Sequence, residues 1–207
     1  MAGLEGSGQG LVQQACAGLV KCSGGSIKLD GKEITKLDYH QTQKEGVAYV
    51  AAGRLEEGLV AGLNLTEHVL LATPAETFMI DWESAQSDTA DRIVQYEVVG
   101  TPESKAEELS GGNQQRLLIS LLNIPLKLII LEHPTRGLDV RSTDYIWEQI
   151  YTRRDHGTAI LFISADLDEI IDRSDRIAVF SGGAMSRIID AEQTNVDELG
   201  HLIGGQS

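Results

Sequence analysis

Residues Leu128 to Leu131 form an unbroken apolar run that ends on Glu132, and this run constrains the fold more than any other part of the chain. A strand that is apolar at consecutive positions has no face for solvent. It belongs in a sheet covered on both sides, as parallel sheets are. Ala159 to Ile163 (AILFI) repeats the pattern, and Ile177 to Phe180 supplies a third strand. Helical stretches at 142–154 and 167–171 separate them. Strand, helix, strand, helix requires right-handed crossovers and an α/β sheet.

Upstream, Leu11, Val12, Ala15, Cys16 and Leu19 recur at helical spacing after a Gly-rich turn. Residues 26–34 (SIKLDGKEI) read as a hairpin about Asp30-Gly31, and 47–51 as a short strand. From 66 to 105 the pattern is helical and polar, with Trp82, Ile93, Val94 and Val98 as packing points. Another helix begins after Gly112. The block 71–124 thus interrupts the alternation with helices only. It is expected to be a helical lobe inserted into an α/β core made of 1–70 and 125–207.

The formal net charge of −14 argues against nucleic acid as the main partner, because phosphate backbones repel it. No run of about 18 apolar residues occurs, so no transmembrane helix is expected and any membrane association runs through a protein. The first residues, MAGLEGSGQG, lack the basic start and apolar stretch of a secretory signal. Cys16 and Cys22 fit no metal or redox spacing, which leaves them as ordinary thiols of a cytosolic chain. His40, His68, His156 and His201 are scattered and read as surface or packing residues. Trp82 and Trp147 read as packing residues, and Asp166, Asp168 and Glu169 as a solvated helix start. The acid-rich stretch from Glu103 to Glu108 reads as a solvated approach to the next helix.

Three motifs carry chemistry. In Leu109-Ser110-Gly111-Gly112-Asn113-Gln114-Gln115-Arg116, Ser110 can cap a helix whose N-terminal amides and dipole face an anion. The two glycines let a phosphate approach the backbone. About 20 residues on, the apolar strand ends in Glu132-His133-Pro134-Thr135-Arg136-Gly137-Leu138-Asp139. The carboxyl end of such a strand is where α/β sheets place ligand groups. Taken alone, Glu132 could be a strand-end salt bridge and Asp139 a helix cap before Ser142. The third motif is the Gly-rich loop Gly3-Leu4-Glu5-Gly6-Ser7-Gly8-Gln9-Gly10.

Over nearly its whole length the chain resembles the ABC transporter ATPases. LSGGNQQR resembles their signature motif as written in importers of simple sugars and nucleosides. LEHPTRGLDV resembles that group's Walker B and D-loop, and ISADLDEIIDRSDRIAVFSGG its switch region and following strand. The resemblance implies a P-loop NTPase-like three-layer core, mostly parallel, with the helical lobe inserted. It implies ATP and Mg²⁺ as cofactors, with Gly6, Ser7, Gly8, Gln9 and Gly10 around the nucleotide and Glu132 toward the metal through water. It implies a membrane permease as partner at the cytoplasmic face, docked near residues 51–75. It also implies a first cassette that forms a pseudo-dimer with this chain. In such dimers each ATP lies between one P-loop and the other subunit's signature, so Ser110, Gly111, Gly112 and Gln114 would serve the partner's nucleotide. The family also has a strand directly before the loop and an antiparallel subdomain. These N-terminal strands are expected to be missing, leaving the sheet without the strand that anchors the loop.

Departures from the family pattern cluster in the chain's own ATP site. The P-loop pattern is G-x-x-x-x-G-K-[ST], and here Gln9 stands at the Lys position and Gly10 at the Ser/Thr position. Gln supplies no positive charge and Gly no hydroxyl. His133 replaces the Glu that polarises water, Ala165 stands at or near the switch His, and Ala51-Ala52-Gly53-Arg54 lies at the Q-loop. Glu132 is one methylene longer than the usual Asp, which sets its carboxylate about 1.5 Å further out. Phosphoryl transfer depends on position and charge, so hydrolysis at this site is expected to be weak or absent. The rival readings are a non-catalytic ABC-like interaction or regulatory module, a decayed fragment, and a soluble ABC ATPase acting on nucleic acid or ribosomes. The acidic charge and LSGGNQQR oppose the last.

Overall fold

The computed structural model describes residues 1–73, 79–122 and 125–205. They fall into two compact units, one comprising Met1–Tyr49, Lys127–Pro134 and Thr158–Ser207, the other Val50–Leu126 and Thr135–Gly157.

The first unit is the α/β core. Its strands are β1 (Ala2–Gly3), β2 (Lys28–Leu29), β3 (Lys32–Glu33), β4 (Val47–Val50), β5 (Leu128–Glu132), β6 (Ala159–Ile163), β7 (Arg176–Ser181) and β8 (Ala184–Asp190). β4, β5 and β6 form one sheet, in that order, and β5 pairs with β6 in parallel from Leu128 opposite Ala159 to Glu132 opposite Ile163. As the apolar run predicts, Ile129, Ile130 and Leu131 are completely buried. A second sheet has the order β1-β7-β8. The amino nitrogen of Met1 donates to the Phe162 carbonyl at 2.6 Å, which brings β6 beside β1. Ile27, Leu29, Leu37, Tyr49 and Leu161 pack around Ala17, Ile34, Val47 and Ile130 to form one apolar cluster.

The strand before the Gly-rich loop, expected to be missing, is present as β1. Ala2 pairs with Val179 and Gly3 with Phe180, in parallel. A Cβ on Gly3 would lie 3.0 Å from both the Cβ and the carbonyl oxygen of Phe180, a tight approach that favours glycine. The hairpin expected at Asp30-Gly31 is β2–β3, with both turn residues at positive φ (50° and 77°). This is the backbone of a two-residue I′ hairpin turn. β8 is an antiparallel partner of β7 across Gly182-Gly183 that the sequence pattern did not reveal. The helices of this unit are α1 (Gln9–Cys16), α2 (Tyr39–Lys44), α7 (Leu167–Arg173) and α8 (Val196–Ile203). Burial, with Cys22 nearby, pushes the Cys16 thiol above its ordinary pKa, in keeping with an inert thiol.

The second unit is helical: α3 (Leu65–Ala72), α4 (Trp82–Gln95), α5 (Gly111–Ser120) and α6 (Val140–Asp155), with a π-helical turn at Arg54–Gly58. It exceeds the 71–124 block expected from sequence, because 50–70, 125–126 and 135–157 belong to it. Arg153 shows why α6 groups here. Its buried guanidinium donates to the Tyr96 hydroxyl at 2.9 Å and to the Ile119 carbonyl at 3.0 Å. Asn64 caps α3 in a reciprocal box with Glu67, and Asp81 caps α4 through the Ser84 amide. Trp147 is buried as expected, whereas Trp82 is 53% exposed and is not a packing residue. His68 is buried and tied to the Asn64 carbonyl and the Val60 amide. Among the described residues no helix is long and apolar enough to cross a membrane. Part of the 51–75 segment, from 74 on, lies outside the described residues.

Candidate functional site

In the α/β unit the Gly-rich loop joins β1 to α1. Gly6 and Gly8 hold positive φ of 81° and 106°, which a side chain would resist. The Ser7 amide donates to the Leu4 carbonyl at 3.0 Å and closes the turn. Gln9 begins α1 with its side chain folded back. Its amide nitrogen donates to the Gly3 carbonyl at 3.2 Å and to the Leu4 carbonyl at 2.9 Å. Both N–H groups of the amide are therefore committed to the loop's own backbone. Its Oε1 is buried without a protein partner. One turn on, Gln13 is completely buried and donates to the carbonyls of Leu131 and Leu161. The apolar residues Leu11 and Val12, expected to pack, are instead 63% and 40% exposed. α1 buries two of its three glutamines, Gln9 and Gln13, because the loop and strands β5 and β6 present carbonyls to that face.

Glu132 closes β5 beside the loop. A Cβ built on Gly10 would lie 3.7 Å from Glu132 Oε1, so the longer carboxylate stands next to the place where a Ser or Thr side chain would begin. His133 follows with φ of 46°, an uncommon backbone for a non-glycine residue. Its amide donates to the Ile163 carbonyl at 2.9 Å, which anchors that turn to the end of β6. Ser164 next to Ala165 accepts the Asp166 amide at 3.1 Å, and Asp166 caps α7. Ala165 itself offers no polar side chain.

In the helical unit, Ser110 caps α5. Its Oγ accepts the Asn113 amide at 3.4 Å and the Asn113 side-chain nitrogen at 2.9 Å. Asn113 in turn accepts the Val99 amide at 2.9 Å. The Gly111 and Gly112 amides lie in the first helical turn, where N–H groups have no intrahelical acceptor and the helix dipole is positive. Asp139 caps α6, accepting the Ser142 amide at 3.0 Å and the Ser142 hydroxyl at 2.9 Å. These bonds hold its carboxyl below the usual carboxylate range. Ser142 Oγ lies 2.9 Å from the place a Cβ on Gly112 would occupy. Asp139 is thus a cap that, through Ser142, packs against the glycine tip. Gln114 departs from its expected role. It is buried, and its amide nitrogen donates to the Ala106 and Leu109 carbonyls at 3.2 and 3.1 Å. It braces the approach to the tip. Arg54, the last residue of the stretch placed at the Q-loop, donates to the Arg136 carbonyl at 3.0 Å.

A sequence profile of the ABC transporter family matches residues 1–136. The chain belongs to the ABC transporter family. Curated relatives of this ABC transporter chain include the nucleoside import ATP-binding protein NupA of Lactococcus lactis subsp. cremoris. It is 37% identical over 99% of this chain and 42% of its own length. The guanosine import ATP-binding protein NupO of Bacillus subtilis is 32% identical over 100% of this chain and 42% of its own. The ribose import ATP-binding protein RbsA of Lactococcus lactis subsp. lactis is 33% identical over 99% and 43%. The chain therefore spans about two fifths of the length of the curated relatives it matches. Among solved structures, the ATP-binding cassette MJ0796, as a post-hydrolysis dimer bound to ADP and Pi, superposes with a TM-score of 0.75. It shares 20% identity and covers 91% of this chain and 83% of its own. An ATP-binding subunit of an ABC transporter gives 0.77 at 20% identity, covering 98% and 86%. These structures establish the ABC cassette fold.

Proposed function

We propose that this ABC cassette is the second nucleotide-binding cassette of an importer of nucleosides or simple sugars. Its signature tip completes ATP hydrolysis on a partner cassette, and its own cradle does not turn over. The observation that carries the proposal is the contrast between the two motifs. Ser110, Gly111 and Gly112 form an intact capped helix tip, whereas Gln9 spends its amide nitrogen on the Gly3 and Leu4 carbonyls. The relatives are named as nucleoside, guanosine and ribose import proteins, and their lengths leave room for a second cassette. A membrane permease and an extracytoplasmic binding protein as partners, with this chain at the cytoplasmic face of the membrane, belong to the same proposal.

The cradle fits a phosphate chain in part. Gly6, Ser7 and Gly8 present a positive-φ turn at the start of α1, where backbone amides favour an anion. It does not fit a cation held by a hydroxyl, because Gly10 has none. Among the described residues no three acid, His or Cys side chains gather. Glu132 alone could approach a metal. In the family, Mg²⁺ and ATP supply charge neutralisation and the transferable phosphoryl group. Here the chain's contribution is to bind phosphate oxygens weakly at 6–10 and to present the Gly111 and Gly112 amides to a phosphate held elsewhere.

The test is ATPase turnover of the transporter that carries this chain, with one cassette changed at a time. Gly111→Val is expected to reduce turnover to background. Gln9→Lys alone is expected to leave it unchanged, since the hydroxyl, the catalytic Glu and the switch His are still absent. Full turnover in Gly111→Val, or a second working site in Gln9→Lys, overturns the proposal.

A further inference from the structure

The helical unit places Arg54 beside the signature tip at Gly111. Arg54 opens the π-helical turn Arg54–Gly58, a rare geometry often found at functional sites. Its Nη1 donates to the Arg136 carbonyl at 3.0 Å. Its Nη2 lies 3.3 Å from the place a Cβ on Gly111 would occupy, and 3.9 Å from the equivalent place on Gly137. From the turn after β4, one guanidinium therefore bonds the D-loop before α6 and lies beside the first helical residue of the signature, segments far apart in sequence. The opposite side of the tip is held by the Asp139–Ser142 cap against Gly112. The tip is thus flanked at Gly111 by Arg54 and at Gly112 by Ser142.

We infer that Arg54 is a positioning residue that fixes the D-loop backbone at Arg136-Gly137 against Gly111. This sets the spacing that the signature amides need to reach a phosphate. The inference rests on the proposed role of the signature tip. The guanidinium suits the task because its planar fork can hold a carbonyl with one nitrogen while the other lies flat against a glycine. Glycine at 111 and 137 leaves room for it. A side chain at 111 would press on the guanidinium, so the signature glycine serves Arg54 as well as the ligand.

The experiment is steady-state ATPase kinetics of the transporter carrying wild-type chain, Arg54→Ala, Arg54→Lys or Gly111→Val, with thermal melting of each. Arg54→Ala is expected to lower kcat 10-fold or more with KM for ATP changed less than 3-fold, because nucleotide binding belongs to the partner's loop. Arg54→Lys, which keeps one charged donor, is expected to recover part of the loss. Hydrogen exchange of the Gly111 and Gly137 amides should quicken in Arg54→Ala and recover in Arg54→Lys. If Arg54→Ala fails to fold, Arg54→Lys and Arg54→Gln carry the test with the same kcat-against-KM readout. Wild-type kcat in both Ala and Lys variants, while Gly111→Val is inactive, overturns the positioning role alone. Wild-type turnover in Gly111→Val overturns the reading beneath it. A loss that follows melting temperature, with KM and kcat falling together, also overturns the inference.

Discussion

Replacing Arg153 tests most sharply how the signature helix is held. Its guanidinium is buried and anchors the C-terminal end of α5 through the Ile119 carbonyl, while reaching the Tyr96 hydroxyl and the Gln149 carbonyl. Hydrogen bonds from a charged donor contribute about 1.5–3 kcal/mol each. The bond to Gln149 stays within α6 and its loss should cost little. Losing the other two costs about 3–6 kcal/mol gross. Relief from burying a charge whose Nε has no protein partner returns about 1–3 kcal/mol. The net expectation is about 3 kcal/mol for Arg153→Ala, which also leaves a cavity, and about 2 kcal/mol for Arg153→Met, which fills it. Urea unfolding followed by circular dichroism measures both. Because α5 carries Ser110 to Gly112 at its other end, hydrogen exchange of the α5 amides should quicken in parallel. Arg153→Met as stable as wild type, or more so, would refute the reasoning. The buried charge would then be dispensable, as replaced buried ion pairs sometimes are.

Three further outcomes are expected. Gly3→Ala should destabilise by about 1–3 kcal/mol through the Phe180 contact, read as a lower urea midpoint; an unchanged midpoint would deny that β1 is packed. Asp139 has a depressed carboxyl pKa in the fold, so its cap stabilises above the unfolded-state pKa and the stabilisation is lost as pH falls through the folded value. Asp139→Asn should therefore be less stable than wild type at pH 7, and the gap should close on acidification; a gap that widens in acid would contradict the assignment. Gly112→Ala should turn Ser142 away from Asp139, and Ser142→Ala in the same chain should recover its effect on stability; no recovery means the two do not touch.

Some of this was legible without coordinates. The apolar run at 128–131 could only be a doubly covered strand, and Ser110 and Asp139 sit where capping residues must. β1 was not legible, because two residues carry no periodicity and its place depends on Phe180, far along the chain. β8 escaped because an edge strand with five exposed residues at its start, Arg187 among them, has no buried face to leave a pattern. Gln9 stands out at the Lys position of the loop, but its fold-back, like the burial of Gln13, left no mark in the sequence. Their burial follows from carbonyls of the loop and of β5 and β6, which no local spacing reveals. Arg54 and Arg153 likewise act on carbonyls 82 and 34 residues away. Gln114 was assigned to the ligand because it neighbours the glycines, but a helix turns successive residues by about 100°, and position 114 points inward.

Vanadate trapping tests the division of labour most directly. The transporter is trapped with Mg-ATP and vanadate, irradiated, and the cleavage sites in this chain are mapped by mass spectrometry. Vanadate sits where the γ-phosphate reacts, so the account predicts cuts at Ser110 to Gly112 and none between Gly6 and Gly10. Cuts at Gly6 to Gly10 in this chain would show a reacting phosphate in its own cradle and contradict the account.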